Sequence, residues 1–432
     1  MNKLGRCMLL LAVVGLFLVL NAVSSTAEEP IELRLTWWGS QQRHDLTIEV
    51  IELFQQKYPH IKVVYEFSGW RDYFTKLTTQ AAGGNLPDIM QHDYARIAEW
   101  VGNGLLLPLD EYVASGTLDL SHVSESVLEG GKVDGKLYGV TLGTNSLGMI
   151  LDVDAFQKAG IDLPAQNWTW EDYEQVALAL HEKLGIWGGG GTLADHNIWK
   201  SLYLGYGQNN YSADGKALGY TDDQPLINHM SMLVRLIGAG AYVPRDVELA
   251  EYFTTGPEGS ALVQGKAAMV AYWSNQLAAI WKAAGEDRNL AIVHLPRPKD
   301  GCCSSNYIKP SMFFSLTKDA KHPKEAAMFI DFFVNSVEAG QTLLADRGVP
   351  ISSVVRNGIK ETLSKAEQEA FVFLERVETD GSPLPPADPA AHSDVYNNVY
   401  LPEFADPVLL KEISPEEGVA NLRTMATPIL SK

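Results

Sequence analysis

The chain has 432 residues, which is too long for one ordinary hydrophobic core and suits two domains of typical size. Its 46% apolar and 20% charged residues are typical of a folded globular protein and exclude general disorder. The net charge of −19 disfavours nucleic acid, anionic lipid and polyanionic ligands, because all of these require a basic surface. A neutral ligand fits this charge best.

Residues 1–27 have the pattern of a secretory signal peptide. Basic residues precede an apolar run over residues 8–20, and small residues stand at positions −3 and −1 of a cleavage site after Ala27. Ala22 is the alternative cleavage site. The run is short for an uncleaved anchor, since a membrane span needs about 20 residues. We therefore expect export to the periplasm, or to the outside of a cell that lacks an outer membrane.

The three cysteines separate into a leader residue and an adjacent pair. Cys7 precedes the apolar run, whereas the lipid-bearing cysteine of a bacterial lipoprotein follows it, so we expect no lipid anchor. Cys302 and Cys303 remain in the mature chain. Their Cα atoms must lie about 3.8 Å apart, below the range of about 4.4–6.8 Å usual for disulfides. A vicinal bridge and two free thiols are both open.

Strands and helices alternate after the leader, as judged from apolar residues at period two or at helical spacing. The predicted elements are a strand over 31–35, a helix over 46–54, a strand over 61–67, a helix over 74–81, a strand over 87–91 and a helix through residue 100. Turns at 58–59 and 83–85 end the first two helices. This alternation is typical of a parallel α/β sheet with right-handed crossovers.

A second α/β region is predicted after residues 138–140. Thr169 and Asp172 have the spacing of a capping box, which predicts a helix through about residue 183. We interpret the glycine run 188–191 and the tract 205–219 as loops. Further elements are a helix that starts at Pro323 with a buried stripe of Ala326, Phe329, Ile330, Phe333 and Val334, a proline-rich surface loop over 381–390 and a last helix over 415–427.

Common catalytic signatures are absent from the sequence. It contains no GxSxG elbow, no complete P-loop, no HExxH and no Cys/His spacing of a metal site. We therefore predict neither enzyme activity nor a metal or cofactor. A catalytic carboxylate pair stays open, because the 53 acidic residues offer many pairs and favour none of them.

Aromatic and polar residues occur together where the first three predicted strands end. These residues are Trp37, Trp38 and Arg43 after the first strand, Trp70 and Arg71 after the second, and His92, Asp93 and Tyr94 after the third. Ligands of open α/β sheets bind beyond the carboxyl ends of the strands. An indole ring stacks on the apolar face of a pyranose, and planar polar groups bind its hydroxyls. The mixture favours a sugar site, although a single Trp is more often a packing residue.

At these residues the chain resembles the family 1 extracellular solute-binding proteins, the sugar receptors of ABC importers. The resemblance covers nearly the whole mature chain and is carried by ELFQQKYPHIKVVYEF (52–67), YFTKLTTQAAGGNLPDIMQ (73–91), LYGVTLGTNSLGMILDVDAFQKAGIDLP (137–164), WTWEDY (168–173), VQGKAAMVAYWSNQ (263–276), HPKEAAMFIDFFVN (322–335) and RGVPIS (347–352). Asp172 stands where the family usually has Glu. Residues 301–306 (GCCSSN) replace the family's usual glycine-rich segment.

The resemblance implies an α/β, two-lobed periplasmic-binding-protein fold, in which each lobe is a sheet flanked by helices and crossover hinge segments join the lobes. We predict a first lobe of residues 28–142 with 270–335 and a second lobe of residues 143–269 with 336–432. The resemblance further implies a monomer that closes on a mono- or oligosaccharide and delivers it to the membrane permease subunits of an ABC importer.

Carried over to matching positions, the family's cleft predicts a set of ligand-binding residues, which are Trp38, Arg43, Trp70, Asp93, Asn145, Trp273 and Asn306. Asp93 could instead cap the following helix, Arg43 could be solvated and Asn145 could serve only as a hinge. The pair Trp37–Trp38 divides by strand phase, with Trp37 directed to the core and Trp38 to the cleft. We hypothesise that residues 301–306 reach the cleft, where a vicinal disulfide would offer an apolar plate.

Three further interpretations stay open at this point. The aromatic tract 195–211 either packs inside the second lobe, which is favoured, or lines a cleft for a longer ligand. The same fold could bind glycerol phosphate or another small polar solute, although Arg43 and Arg71 give thin support for an anion site. A secreted carbohydrate-active enzyme is the alternative from another class.

Overall fold

The computed structural model describes residues 30–39, 41–94, 96–285 and 287–431, so the predicted signal peptide lies outside the described residues. The strands are β1 (Ile31–Trp38), β2 (Ile61–Ser68), β3 (Ile89–His92), β4 (Lys132–Val133), β5 (Lys136–Leu137), β6 (Val140–Thr141), β7 (Thr144–Asn145), β8 (Leu147–Asp152), β9 (Gly190–Gly191), β10 (Met269–Trp273), β11 (Leu290–Val293), β12 (Lys309–Pro310) and β13 (Phe313–Leu316).

The α-helices are α1 (Gln41–Lys57), α2 (Trp70–Ala82), α3 (Ile97–Gly102), α4 (Asp110–Ala114), α5 (Glu125–Leu128), α6 (Val153–Ala159), α7 (Trp170–Leu184), α8 (His196–Leu204), α9 (Gln224–Gly238), α10 (Arg245–Thr255), α11 (Leu277–Ala284), α12 (Pro323–Asn335), α13 (Val337–Leu343), α14 (Ser353–Ile359), α15 (Lys365–Asp380), α16 (His392–Val395), α17 (Asp406–Leu409) and α18 (Pro415–Leu430). A π-helical segment, Tyr396–Ala405, joins α16 to α17.

The first sheet has the strand order β2-β1-β3-β13-β6. β1 runs parallel to β2 and β3, whereas β13 runs antiparallel to β3 and β6. This confirms the predicted alternation of strands and helices over the first hundred residues. Leu33, Leu35 and Trp37 are buried on the face of β1 that α1 covers, because alternate side chains of a strand point to one face.

The second sheet has the order β11-β8-β10-β9 and is mainly antiparallel. Its central strand β8 is buried along its whole length, which is expected where helices cover both faces of a sheet. The predicted capping box is present, since the Thr169 hydroxyl accepts from the Asp172 amide and the Asp172 carboxylate accepts from the Thr169 amide. The predicted stripe on α12 is also confirmed as buried.

The sheets divide the chain at places other than those predicted. β10 and β11 pair with β8, so residues 270–293 belong to the second sheet and not to the first lobe. The chain returns to the first lobe at β12 and β13. α13 and α14 also stay with the first lobe, where Gly340 lies against Val355. Apolar periodicity identifies a strand but not the sheet that it joins, which is why the boundaries at 270 and 336 were wrong.

The glycine run 188–191 is not the loop that its composition suggested. Gly190 and Gly191 form β9, which pairs in parallel with Val270 and Ala271 of β10. A Cβ atom on Gly188 would lie 2.0 Å from the Ala177 carbonyl oxygen on α7. The glycines therefore allow β9 to pack directly on a helix backbone, which is a role that glycine can have inside a sheet.

Candidate functional site

Two short strands, β7 and β12, connect the two sheets along the chain. In the first sheet His92 at the end of β3 lies opposite Phe313 at the start of β13. In the second sheet Trp273 at the end of β10 lies opposite Leu147 at the start of β8. Between these edges β7 pairs with β12, with Asn145 opposite Lys309. This short ladder is the candidate hinge, and the candidate cleft is the space between the two sheet edges.

Trp38 and Trp37 have different surroundings. Trp37 is fully buried and its indole nitrogen donates to Nδ1 of His44 over 3.0 Å, which confirms its predicted packing on the core side. Trp38 lies on the opposite phase and is 7% exposed. Its ring packs edge-on to Tyr73 of α2 with centroids 5.1 Å apart. Trp38 thus presents only a small part of its surface toward the cleft.

Arg43 is held by the first lobe. Its Nε donates to the Asp346 carboxylate and its Nη2 donates to the Asp346 carbonyl, both over 2.9 Å. The side chain is 17% exposed, so the alternative of a solvated arginine was wrong. A charge-assisted fork of this kind fixes the segment that follows α13 against the N-terminal turns of α1.

Trp70 and Asp93 follow the ends of β2 and β3 as predicted. Trp70 begins α2, and its side chain lies outside the described residues. Asp93 is half-buried, and its carbonyl accepts from the Arg96 amide over 3.1 Å. Arg96 stands at the N-cap position of α3 and makes no side-chain cap bond, so ligand binding and capping by Asp93 both stay predictions. A half-buried carboxylate at a strand end is suited to accept hydrogen bonds from hydroxyl groups.

Asn145 lies in the hinge strand β7. Its Oδ1 atom is buried and accepts no hydrogen bond from the residues that the structure describes. A Cβ atom on Gly348 would lie 3.0 Å from this oxygen, so a glycine is required where the turn between α13 and α14 passes β7. This close packing agrees with a hinge position for Asn145. It leaves the Asn145 side-chain oxygen without a hydrogen-bond donor among the described residues.

Trp273 is partly exposed at the end of β10, and residues in and next to the hinge strand β12 lie close to its ring. The Lys309 ammonium lies 5.1 Å from the centre of the Trp273 ring, and Tyr307 meets the ring at an interplanar angle of 87°. Its backbone amide donates to the Gln276 side chain over 3.0 Å. Trp273 is thereby fixed at the sheet edge with part of its surface open, in the place predicted for a stacking aromatic residue.

Asn306 lies below the cleft surface and is 1% exposed. Its Oδ1 accepts from the Leu295 amide over 2.9 Å, and its Nδ2 donates to the Ser146 hydroxyl over 3.2 Å. Both ends of the amide are used inside the protein. The prediction that Asn306 binds the ligand is therefore wrong. This residue positions the start of β8 and offers no accessible atom.

A pair of charged residues that the sequence did not single out lies beside the hinge. The Lys200 ammonium lies 2.7 Å from the Asp388 carboxylate. Burial would raise the pKa of Asp388, but Lys200 and other nearby cations outweigh burial and hold it below the usual value. Burial, with a smaller contribution from Asp388, raises the pKa of Tyr94 to about 12. Lys200 and Asp388 are 188 positions apart in the chain, so no local pattern could have paired them.

The proline-rich segment 381–390 is a loop, as predicted, but part of it is not on the surface. Pro385 is buried, and its carbonyl accepts from the Tyr94 hydroxyl of the first lobe over 3.0 Å. The Ser382 amide donates to the Asn306 carbonyl in the second lobe over 2.8 Å. The segment therefore joins the two lobes at the side of the cleft.

A small cavity of about 50 Å³ lies beyond the ends of β9 and β10 in the second lobe. Its lining includes Thr192, Asp195, Arg245, Tyr272 and Tyr396. Arg245 pairs with Asp406 over 2.8 Å, and the Asp195 carboxylate accepts from the Asn197 amide over 2.9 Å. Only Thr192 and Asp195 follow β9, whereas Arg245, Tyr272 and Tyr396 come from segments far apart in the chain, so no local pattern could group these residues.

Cys302 and Cys303 form a vicinal disulfide, which decides the question that the sequence left open. The Cys303 amide donates to the Gly205 carbonyl over 3.1 Å, and a Cβ atom on Gly207 would lie 3.1 Å from the Cys302 sulfur. The bridge thus packs on the turn that follows α8. Trp199, Tyr203 and Tyr211 of the same region are buried in the second core, which confirms the packing interpretation of the tract 195–211.

Within the described ranges, no helix has both the length and the apolar character to cross a membrane. Nor do the described side chains include a group of three or more His, Cys, Asp or Glu that could hold a metal ion.

Comparison with known proteins gives a consistent picture. The model of a family described as bacterial extracellular solute-binding protein matches residues 40–339. An uncharacterized lipoprotein of Streptomyces antibioticus is 25% identical over 80% of this chain and 76% of its own length. The arabinooligosaccharide-binding protein of Bacillus subtilis is 27% identical over 43% of each chain.

Solved structures share the fold over nearly the whole chain. A family 1 extracellular solute-binding protein from Alicyclobacillus acidocaldarius is 29% identical, with a TM-score of 0.84 over 94% of this chain and 100% of the other. An oligogalacturonide-binding protein of Yersinia enterocolitica has a TM-score of 0.74 at 21% identity, over 93% and 99% of the two chains. The second likeness concerns the fold alone.

Proposed function

This chain belongs to the bacterial extracellular solute-binding protein family, and from that premise we propose that it is an exported receptor for a carbohydrate. It captures a mono- or oligosaccharide between its two lobes and delivers it to the permease of an ABC importer. Export is supported by the leader pattern of residues 1–27 and by the extracellular family. Solute binding, not catalysis, is the activity for which the family is named.

The observation that carries the carbohydrate proposal is the position of Trp273. Its ring is partly exposed at the carboxyl end of β10, directly above the hinge pair Asn145 and Lys309. Asp93 lies at the end of β3 on the edge that faces it. An aromatic plate opposite polar side chains complements the apolar face and the hydroxyl rim of a pyranose. The arabinooligosaccharide-binding relative supports the same ligand class.

Closure of the lobes supplies the signal that a permease reads. A ligand that touches both sheet edges gains all of its contacts only when the lobes approach, so binding shifts the population toward the closed form. The hinge ladder of β7 and β12 is the part of the chain that we expect to flex.

A ligand screen tests the function. Purified mature protein is heated with mono-, di- and oligosaccharides and with glycerophosphates, since a ligand that binds the folded state raises the melting temperature. The bound compound is then recovered and analysed. An unchanged sugar is the expected result, and a response to phosphates alone would favour the alternative solute. A cleaved sugar would refute the receptor role in favour of an enzyme.

Replacement of Trp273 tests the site. Trp273→Ala should weaken sugar binding by about ten- to hundredfold in calorimetric titration, as expected when a central aromatic contact is lost. Trp187→Ala is the matched control, because Trp187 is partly buried in the same lobe but pairs near the opposite end of β10. Equal losses of affinity in both variants would contradict the assignment of Trp273.

A further inference from the structure

The hinge strand β12 places one lysine, Lys309, at the base of the cleft. Its backbone pairs with Asn145 and its ammonium lies 5.1 Å from the centre of the Trp273 ring. The side chain is half-buried. The charge therefore lies beside the aromatic surface on which the proposed sugar would rest.

Lys309 has no carboxylate partner at ion-pair distance among the described residues, in contrast to its neighbour Lys200. Lys200 pairs with Asp388 over 2.7 Å, so one cation and one anion of this cluster neutralise each other. Asp93 and Asp388 both act on Lys309 only through their electrostatic field, and Lys200 repels it. One positive charge in this part of the cleft is left without an opposite charge in contact.

An ammonium held in this way is costly, because burial removes part of its hydration. Burial lowers the pKa of Lys309 despite the opposing effect of Asp93. The face of Trp273 offsets part of the cost by a cation–π contact. An anionic group that enters with the ligand would offset the remaining cost of burying the ammonium, since a charge-assisted hydrogen bond is the strongest contact open to it.

Building on the proposed function, we propose that the ligand carries an anionic group, either the carboxylate of an acidic sugar or a phosphate, that pairs with Lys309 while the sugar ring lies on Trp273. The net charge of −19 does not oppose this, because charges farther away than about 8–10 Å are screened in physiological salt. The local cation, not the total charge, decides which ligand fits.

Charge-matched ligands test the proposal. The mature protein is titrated with a uronic acid oligosaccharide, with its neutral methyl ester, and with glucose 1-phosphate and glycerol 3-phosphate. The variants are Lys309→Met, Lys309→Arg and the control Lys318→Met, which replaces an exposed lysine that precedes α12. We expect the anionic ligand to bind at least about thirtyfold more tightly than its neutral analogue, as for other buried charge pairs. Lys309→Met should abolish this preference, and Lys309→Arg and Lys318→Met should keep it.

A second readout separates binding from a structural role. Without ligand, Lys309→Met should melt at the same or a higher temperature, because an unmatched charge is removed, and a clear decrease would overturn the proposal. Equal affinity for the acid and its ester would also overturn it and leave the receptor role intact. If neither acids, neutral sugars nor phosphates bind, the proposed function fails as well. Preference for the uronate or for a phosphate identifies the source of the anionic group.

Discussion

At the scale of single residues, two adjacent tryptophans have different surroundings because successive side chains of a strand point to opposite faces of the sheet. Trp37 lies against α1 and donates its indole hydrogen to His44. Trp38 lies on the other face and packs against Tyr73 and Phe74 of α2. Ligand binding by Trp38 stays a prediction, and Trp38→Ala should accordingly weaken sugar binding. Because Trp38 is buried, Trp38→Ala should also lower the stability of the first lobe.

Trp37→Phe should destabilise the fold without a change in sugar affinity. It leaves Nδ1 of His44 buried without its donor, which costs about 1–3 kcal/mol of unfolding free energy. Urea denaturation of Trp37→Phe, His44→Leu and the double variant measures the coupling between the two residues. If Trp37→Phe costs the same in the His44→Leu background, the hydrogen bond is not the cause.

At the scale of elements, the glycine run illustrates how close packing decides secondary structure. Gly188 has no room for a side chain because a Cβ atom would meet the α7 backbone at Ala177. A Cβ atom on Gly190 would lie 2.5 Å from the Val243 side chain. Composition alone suggests a loop here, since glycine is rare inside strands. The strand exists because β10 provides a partner and the helix lies directly behind it.

Gly188→Ala should therefore cost more than about 2 kcal/mol of unfolding free energy, since a helix backbone cannot yield as a flexible side chain does. Gly102→Ala is the matched control, because a Cβ atom on Gly102 meets nothing within 4 Å and the residue ends α3 in ordinary helical geometry. It should be neutral or slightly stabilising. Thermal denaturation compares the two, and similar melting temperatures would contradict the close packing of β9.

At the scale of the whole molecule, buried histidines make stability depend on pH. Burial lowers the pKa of His92 and of His229 to about 4, below the ordinary value of 6.5. Between these values the unfolded chain binds protons that the folded protein does not bind. The unfolding free energy must therefore fall as the pH falls from about 6.5 to about 4.

The size of this effect should be about 1–3 kcal/mol for each of the two histidines. Replacing one of them, as in His229→Phe, should flatten the slope of stability against pH in this window even if the absolute stability also drops. His122→Gln, at an exposed histidine, should leave the slope unchanged. Urea titrations at several pH values measure the slopes, and an unchanged slope in His229→Phe would contradict neutral burial.

The sequence by itself determined the features that depend on neighbours in the chain. The strands and helices from β1 to α3, the capping box at Thr169 and the stripe on α12 follow from local spacing, which acts within one or two turns. The ligand-binding role of Trp273 came from the family resemblance and stays a prediction.

Only the tertiary structure decided which sheet β10 and β11 join, where Asn306 points and which partner each cation of the cleft has. These outcomes depend on pairing between segments far apart in the chain, and the free energy of such pairing is absent from any local pattern. Lys309 is the clearest case. In the sequence it is one lysine before a proline, and only the fold places it beside Trp273 without an acidic partner among the described residues.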